Sequence, residues 1–538
     1  MLFCKAAAGL LALATSASAL QALPIPQAQL KRQTQLQRQS RLTAAATYQE
    51  YNLTVPIDHF HNDTKYEPHS NGTFNLRYWF DAQFYKPGGP VFVLSAGETN
   101  GENRFPFMEK GIIYEIAKAT GGIGVILEHR YYGTSIPVPS FSTENLRFLT
   151  TEQALEDTAY FAKNVVFEGF EDVDWSPDVT PWIVYGGSYA GAFVAFLRVV
   201  YPDIFFAAIS SSGVPQAIWD YWEYFDGARL FGPEVCSETT GKLTHIVDTI
   251  LLNETLSEYV GPLKDVYGLG YVSSDTDFAA ALRGGIYDLQ SYNWDPEISG
   301  DSFFEYCDLV SNNTNQFPEL EEKRSAVEEL ITVAGYGDEV DPLADRMLNY
   351  IGSLGYALRR CGGTADECFG FGDREFYAQD DTSETWRLWP YQVCTEWGYL
   401  QTGSGAPDDV LPMISRLVDL EYSSQICRET FGMTGVANVS NINKYGGFDI
   451  AYDRLMFLDG EWDPWRAAGV QAVTQEPRES TPRQPVVLID DAVHHWDENG
   501  VFPNETRPGI PPQAVVDAKA AIEEFVLEML KEWEPARK

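Results

Sequence analysis

Residues 182–191 read Trp-Ile-Val-Tyr-Gly-Gly-Ser-Tyr-Ala-Gly, an apolar strand that enters a turn of small residues with Ser188 at its apex. An apolar, helix-like run follows at 192–200. Strand, tight turn and helix in this order are typical of a nucleophile elbow, whose strained turn requires small neighbours around the serine. The pattern is G-x-S-x-A, because Ala190 stands where a second glycine is usual. The stretch therefore predicts a nucleophilic serine and an enzyme that transfers acyl groups.

Apolar runs of strand length alternate with helical patterns in the first part of the chain. Strands are predicted at 91–95, 125–127, 183–185 and 206–209, with helices at 112–120 and 151–166. Two further strands are predicted at 455–458 and 486–489, followed by a long amphipathic helix at 511–533. Buried strands that alternate with helices favour the α/β class, with a mostly parallel sheet covered on both faces.

The pattern changes after residue 215, where Trp, Tyr, Asp and Glu become frequent and strand patterns become rare. We interpret residues 216–445 as a mainly helical cap that is inserted into the sheet domain. The first part of the sheet domain would then be residues 47–215, and the second part residues 446–538.

The N-terminus is typical of a secretory signal peptide, predicted to comprise residues 1–19. It has a basic residue at Lys5, an apolar run at 6–14 and an Ala17-Ser18-Ala19 cleavage site. Residues 20–46 are rich in Gln, Ala and Pro, and we interpret them as a flexible leader or pro-segment, with a disordered mature tail as the alternative. No later run of about 18 apolar residues occurs, so no membrane span is expected. We expect a secreted protein, or one in a vacuolar or lysosome-like lumen.

The cysteines also favour export. Of the seven cysteines, Cys4 lies in the predicted signal peptide and the other six lie in the predicted cap. An even number in an exported chain predicts disulfides. None belongs to a C-x-x-C pair, which argues against a metal site. Among the possible connectivities we predict sequential pairing, namely Cys236–Cys307, Cys361–Cys368 and Cys394–Cys427.

Surface chemistry adds two expectations. The formal net charge of −39 disfavours binding to nucleic acid and to anionic membrane surfaces, and it favours solubility at mildly acidic pH. Attraction of cationic substrates is the alternative interpretation of that charge. N-glycosylation is predicted at several of the N-x-S/T sequons, which begin at Asn52, Asn62, Asn71, Asn253, Asn312, Asn438 and Asn504.

A serine hydroxyl needs a general base, and the base needs a carboxylate to orient it. In this type of enzyme the chain order is Ser, then Asp or Glu, then His. Among the seven histidines, His494 and His495 both follow the elbow and come just after a predicted strand, 486–489. One of the two is the predicted base, and spacing alone does not choose between them.

The carboxylate is expected after the strand at 455–458. Asp463 is the best placed, because Pro464 fixes the local chain and the residue lies far enough beyond the strand to reach sideways. The alternatives that remain are Asp459, Glu461 and Asp490.

Two backbone N–H groups are needed to stabilise the oxyanion that forms during acyl transfer. The first is expected from Tyr189, and the second from Gly97 in the loop after the strand at 91–95. For the side chain of Tyr189 two roles are open: it contributes to the oxyanion site, or it packs in the core. Glu98, in the same loop as Gly97, is a candidate to recognise a substrate amine, with a hydrogen-bonding role in the loop as the alternative.

Taken together, the motifs resemble a known family. They resemble the serine peptidases that include lysosomal Pro-Xaa carboxypeptidase, dipeptidyl peptidase II and fungal secreted prolyl endopeptidases. The resemblance covers roughly residues 47–535. It implies an α/β-hydrolase fold with a helical cap and the hydrolysis of peptide bonds after proline. The motifs that carry it are Glu128-His129-Arg130-Tyr131-Tyr132-Gly133, Leu149-Thr150-Thr151-Glu152-Gln153-Ala154-Leu155, Gly186-Gly187-Ser188-Tyr189-Ala190-Gly191, Asp463-Pro464-Trp465 and His494-His495.

The resemblance also implies roles for single residues. Ser188 matches the nucleophile, Asp463 the acid and His494 the base. Trp465 matches an aromatic residue that lines the proline pocket, and Tyr189 would flank the oxyanion site and contact substrate. The chain departs from the family pattern where Asp459-Gly460 replaces Asn-Gly and where Asn499 replaces a frequent Arg. These departures leave the carboxypeptidase, dipeptidyl peptidase and endopeptidase modes open.

Two other classes of protein compete with this interpretation. An esterase or lipase on the same fold would carry an HGGG-type oxyanion loop, which the sequence does not contain. A non-catalytic binding protein would have lost one of the three catalytic residues. The expected partners are peptide or protein substrates, no cofactor and no metal are implied, and both a monomer and a homodimer are compatible with the sequence.

Overall fold

The computed structural model describes residues 48–298, 300–361, 370–371 and 373–533. The predicted signal peptide, the predicted leader and Cys368, which is the predicted disulfide partner of Cys361, lie outside the described residues.

Eight strands form one central sheet, in the order β1-β2-β4-β3-β5-β6-β9-β10, and β7 and β8 form a separate parallel pair. The strands are β1 (Tyr51–Pro56), β2 (Thr73–Asp81), β3 (Val91–Ser95), β4 (Ile123–Leu127), β5 (Trp182–Gly187), β6 (Ala207–Ser211), β7 (Ile218–Asp220), β8 (Gly398–Leu400), β9 (Leu455–Gly460) and β10 (Val486–Ile489).

The second strand, β2, is antiparallel to both of its neighbours, and the strands from β4 to β10 in the central sheet run parallel. This strand order and direction are those of the α/β-hydrolase fold, which confirms the predicted fold class. The inner strands β3, β5 and β6 are buried along their whole length. Their apolar sequences explain this, because strands covered by helices on both faces do not need alternating polar residues.

The helices of the sheet domain pack against this sheet. The first four are α1 (Phe105–Glu109), α2 (Ile112–Thr120), α3 (Thr151–Asn164) and α4 (Tyr189–Val200). The predicted C-terminal helix is also present, as the last helix of the described chain. Its buried residues follow the helical period of three to four, namely Val515, Ala518, Ile522, Phe525, Val526 and Met529.

The chain between β6 and β9 is mainly helical, as predicted. Disulfides link Cys236 to Cys307 and Cys394 to Cys427 within it, and these are two of the three predicted pairs. Its helices are α5 (Asp226–Phe231), α6 (Glu234–Leu252), α7 (Val260–Val266), α8 (Asp275–Ala281), α9 (Ser302–Val310), α10 (Arg324–Ile331), α11 (Val340–Cys361), α12 (Arg374–Tyr377), α13 (Leu388–Gln392), α14 (Leu420–Ser423), α15 (Gln425–Phe431) and α16 (Ser440–Asn443). The C-terminal helix is α17 (Gln513–Lys531).

The described surface bears on two of the expectations from sequence. No helix in the described ranges has both the length and the apolar character needed to cross a membrane. Among the sequon asparagines, Asn312 is half-buried and the others are exposed to solvent, where a glycan has room.

Candidate active site

Ser188 occupies a strained turn between β5 and α4. Its φ of 63° and ψ of −126° lie in a region that residues other than glycine seldom adopt. A Cβ atom at Gly186 would lie 2.2 Å from the carbonyl oxygen of Ala190, and one at Gly191 would lie 2.7 Å from that of Ser211. The small residues of the motif are therefore required for the close approach of strand and helix, as the elbow pattern predicts.

Three side chains from three separate loops form one hydrogen-bonded chain. The hydroxyl of Ser188 donates to Nε2 of His494 over 2.8 Å, and Nδ1 of His494 donates to Oδ2 of Asp463 over 2.7 Å. All three residues are 2–3% exposed. In this geometry His494 can accept the hydroxyl proton, while the carboxylate stabilises the imidazolium that results.

The loop after β9 explains why Asp463 faces the histidine. Asp463 precedes a short 3₁₀ helix, Pro464–Ala468, and its Oδ1 accepts a hydrogen bond from the backbone N–H of Trp465 at 2.9 Å. One carboxylate oxygen is thus fixed by the main chain, and the other points at His494.

The other candidate acids lie elsewhere. Oδ2 of Asp459 accepts a hydrogen bond from Nε2 of Gln471 at 2.8 Å. Oε2 of Glu461 accepts one from the backbone N–H of Asp491, and Asp490 is exposed. Of the acids considered from sequence, the structure brings Asp463 to the histidine.

The two neighbouring histidines have different surroundings. His495 donates its backbone N–H to Oγ of Ser212 at 2.9 Å, and its Nδ1 lies 2.9 Å from Oε2 of Glu498. Burial lowers the pKa of His494, and the Asp463 carboxylate offsets part of that shift. Burial acts in the same direction on His495, but the Glu498 carboxylate reverses the effect and raises the pKa of His495. His494 therefore favours the neutral form that a general base needs.

The loop after β3 lies against the start of α4. Gly97 has a φ of 69°, and a Cβ atom built on it would lie 3.3 Å from Cβ of Ala190, two residues after the serine. The loop is anchored by Glu128 at the end of β4, which accepts hydrogen bonds from the backbone N–H of Gly101 at 2.9 Å and from Arg77 at 2.6 and 3.1 Å. The structure therefore brings Gly97 beside the turn that contains the serine.

Glu98 is a buried carboxyl group without a hydrogen bond to any described residue. Burial raises its pKa to about 7, although the charges of Arg104 and His495 partly oppose the shift. A buried carboxyl group that lacks a donor is costly unless it is protonated or a ligand supplies the donor.

The side chain of Tyr189 lies beneath the elbow, between the sheet domain and the cap. It is fully buried, and its hydroxyl lies 2.9 Å from Nε2 of His129 and accepts a hydrogen bond from Nε2 of Gln392 at 3.1 Å. Its ring centroid lies 5.1 Å from that of Trp397. The ring is thus part of the packing between the sheet domain and the cap.

Trp465 is fully buried and lies two residues after Asp463. Its indole N–H donates to Oε1 of Gln290, a cap residue, at 2.9 Å. Three aromatic rings of the cap surround it with centroid distances of 5.2–5.4 Å, namely those of Tyr221, Tyr224 and Tyr399. These cap residues were not predicted from the sequence, because they lie 66–244 positions from Trp465 in a chain that is rich in tyrosine.

Two residues that were not predicted from the sequence hold the histidine loop. Asp497 accepts hydrogen bonds from the hydroxyls of Tyr185, within β5, and Ser211, the last residue of β6. Trp496 donates its indole N–H to the backbone carbonyl of Tyr292 in the cap at 3.0 Å. The signal that could have identified them is their position directly after the histidine pair. Acidic residues are so frequent in this chain that position alone does not single out Asp497.

The chain is similar to a family of known proteins along most of the sheet domain and part of the cap. The profile of the family described as serine carboxypeptidase S28 matches residues 56–231 and 371–508, which together are more than half of the chain.

Curated relatives agree with that match. A probable extracellular serine carboxypeptidase of Arthroderma benhamiae is 50% identical over 490 residues, which cover 90% of this chain and 68% of that protein. Serine protease vicPb of Bipolaris victoriae is 29% identical over 460 residues, or 82% of each chain. The thymus-specific serine protease of Homo sapiens is 26% identical over 421 residues, or 74% of each chain. This chain therefore belongs to the serine carboxypeptidase S28 family and is a serine peptidase.

Proposed function

We propose that this protein is a secreted peptidase that hydrolyses peptide bonds after proline through an acyl-enzyme on Ser188. The observation that carries the proposal is the hydrogen-bonded chain from Ser188 through His494 to Asp463. Its order along the sequence and its place beyond the carboxyl ends of parallel strands are those that acyl transfer uses in this fold.

Each residue has one task in the proposed reaction. His494 takes the proton of Ser188 as Oγ attacks the carbonyl carbon, and Asp463 stabilises the imidazolium. The backbone N–H groups of Tyr189 and Gly97 donate to the oxyanion of the tetrahedral intermediate. His494 then gives the proton to the leaving amine, and a water molecule activated in the same way releases the acyl group from Ser188.

Preference for proline is supported by the surroundings of Trp465. The residue lies two positions after Asp463 in sequence and is surrounded by tyrosine rings of the cap. An apolar, aromatic wall suits the flat pyrrolidine ring of proline, which has no N–H to satisfy. We propose that the proline ring packs against this aromatic group while its carbonyl carbon faces Ser188.

A location outside the cytosol is supported by three observations. The N-terminal sequence is typical of a signal peptide, two disulfides staple the cap, and the relative from Arthroderma benhamiae is described as extracellular. Disulfides persist in secreted proteins and are rare in the cytosol. Among the three modes of cleavage we favour the carboxypeptidase mode, because the family and this relative carry that description.

A cleavage profile of the secreted protein tests the proposal. The substrates are peptides of mixed sequence with free or amidated C-termini, and products are identified by mass spectrometry. We expect cuts that follow proline next to a free C-terminus. Internal cuts would replace the carboxypeptidase mode by the endopeptidase mode, and release of N-terminal dipeptides would replace it by the dipeptidyl mode. Cuts without proline enrichment, or hydrolysis of esters but not of peptides, would overturn the proposed specificity.

Variants of two buried serines distinguish a loss of catalysis from a loss of folding. Ser188→Ala should lower kcat by at least about 10⁵-fold with an unchanged melting temperature, because the hydroxyl is the nucleophile. Ser210→Ala is the matched control. Ser210 lies in the adjacent strand β6, and its hydroxyl forms no hydrogen bond with any described residue, so activity should be retained. Peptidase activity in a folded Ser188→Ala protein would contradict the mechanism.

A further inference from the structure

Asp58, His61 and His69 lie close together in the loop between β1 and β2, outside the candidate active site. One potential ligand atom of each residue lies within 4.8 Å of those of the other two. Two imidazoles and one carboxylate form a donor set that Zn²⁺ accepts, with water in the remaining position. We propose that these three residues bind a divalent transition-metal ion, with Zn²⁺ as the favoured ion. The lack of C-x-x-C pairs has no bearing on such a site, because its ligands are histidine and aspartate.

The carboxylate of Asp58 is held in place by hydrogen bonds and is positioned to bind a cation. Oδ1 of Asp58 accepts hydrogen bonds from the backbone N–H of Phe60 at 2.9 Å and from Nε2 of Gln153 at 2.8 Å. Oδ2 faces Nδ1 of His69 at 2.7 Å. One carboxylate oxygen is thus held by protein donors, and the other is directed at His69.

The two histidines lie at the separation that a shared ion requires. Their ring centroids are 5.4 Å apart, with the ring planes inclined by 32°. With Zn–N bonds of about 2.1 Å and tetrahedral angles, two imidazoles on one ion have centroids about 5 Å apart. Oδ2 of Asp58 and Nδ1 of His69 would move from their hydrogen-bonded distance to about 3.4 Å, which is a small side-chain rotation.

His61 distinguishes a metal site from a simple Asp–His pair. The Asp58–His69 pair is complete as a hydrogen bond and needs no third member. His61 is exposed and forms no hydrogen bond with any residue in the described ranges, yet its ring lies beside that of His69. One of its ring nitrogens lies within 4.8 Å of a ligand atom of the buried Asp58 and of one of His69, and an ion gives this arrangement a function.

Binding would fasten the loop at 57–72 to the sheet domain. Asp58 is connected through Gln153 to α3. An ion that also held His61 and His69 would tie both halves of this loop to the helix. The effect would resemble that of the disulfides in the cap, which close other loops of the same chain.

The test measures Zn²⁺ binding by the full-length secreted protein, stripped with a chelator and dialysed at pH 7.5. Wild type should bind one more Zn²⁺ per chain than His61→Ala in equilibrium dialysis. Saturating Zn²⁺ should raise the melting temperature of wild type by about 2–4 °C and leave that of His61→Ala unchanged. An ion held by the active-site histidines would be counted equally in both proteins and would not affect the comparison. Equal Zn²⁺ stoichiometry in wild type and His61→Ala would therefore overturn the proposal.

Two further variants make the result specific. His69→Asn retains a donor for Asp58 in place of Nδ1 but offers no imidazole, so it should fold and lose the same single Zn²⁺. His245→Asn is the matched control, because His245 lies in α6 of the cap and contacts the hydroxyl of Tyr336. It should bind as much Zn²⁺ as wild type. Loss of Zn²⁺ in His245→Asn, or its retention in His69→Asn, would contradict the assignment of the ligands.

Discussion

Asp459 and Asp463 are buried four residues apart at the carboxyl end of β9, but they have different partners. Asp463 accepts a hydrogen bond from His494, whereas Asp459 accepts one from the side-chain amide of Gln471. Burial raises the pKa of Asp459 to about 7, and the nearby negative charge of Asp463 adds to the shift. Asp459 is therefore protonated at the mildly acidic pH at which the charge of this chain favours solubility.

The first prediction concerns stability against pH. The folded protein holds a proton on Asp459 that an unfolded chain releases near pH 4, so stability is lost as pH rises from about 4 to about 7. Asp459→Asn removes this titration and should stabilise the protein at pH 8 by roughly 2–4 kcal/mol, with little change at pH 4. Urea unfolding at the two pH values measures the effect.

The control for this prediction is Asp490→Asn, which changes an exposed aspartate after the next strand, β10. It should alter stability by less than about 0.5 kcal/mol at both pH values. A gain for Asp459→Asn that is equal at pH 4 and pH 8 would show that the carboxyl group does not titrate as described.

The second prediction concerns the catalytic base. Asp463→Asn should lower kcat by about 10⁴-fold, because the amide no longer holds the productive tautomer of His494 or stabilises its cation. The acidic limb of kcat/KM in wild type should lie below pH 6.5, since burial lowers the pKa of His494 and the base must be neutral to act. The pH–rate profile of wild type and the turnover rate of the variant check the two parts.

Glu461→Gln serves as the comparison for Asp463→Asn. Glu461 lies in the same loop but accepts its hydrogen bond from the backbone N–H of Asp491. The Glu461→Gln variant should keep kcat within about threefold of wild type. If Glu461→Gln lowered kcat as much as Asp463→Asn does, the role of orienting His494 would not belong to Asp463 alone.

Most of the sheet could be predicted from the sequence because its inner strands are apolar throughout. The predicted strands at 91–95 and 486–489 have the observed bounds, and that at 183–185 is the centre of β5. The edge strand β1 and its neighbour β2 were not predicted. They carry polar residues such as Asn52 and Asn75 on a solvent-facing side, so no continuous apolar run marks them.

The candidate site was only partly accessible to sequence reasoning. Ser188 could be predicted because its turn imposes a local pattern of small residues, which the contacts of Gly186 and Gly191 explain. The surroundings of Glu98 depend on residues about 400 positions away, among them His495, and no local pattern marks such contacts. The rings around Trp465 come from the cap, and their approach depends on how the cap packs rather than on any motif.

The third prediction separates the side chain of Tyr189 from its backbone. Tyr189→Phe removes the hydroxyl that contacts His129 and Gln392 and leaves two buried polar groups without this partner. It should cost about 1–3 kcal/mol in the free energy of unfolding, while kcat falls less than about tenfold. Urea unfolding and steady-state kinetics on one peptide measure both quantities. A much larger loss of turnover, by about two orders of magnitude or more, would place the hydroxyl in the oxyanion site instead.

The last prediction concerns Trp465 and the preference for proline. Trp465→Phe shortens the aromatic surface and removes the hydrogen bond to Gln290. If the indole packs on the proline ring, the ratio of kcat/KM for proline over alanine before the cut should fall about 10–100-fold. Trp386→Phe is the control, because Trp386 is a buried cap residue whose ring stacks on that of Phe376. It should leave the ratio unchanged, and an unchanged ratio in Trp465→Phe would mean that the proline ring packs against another surface.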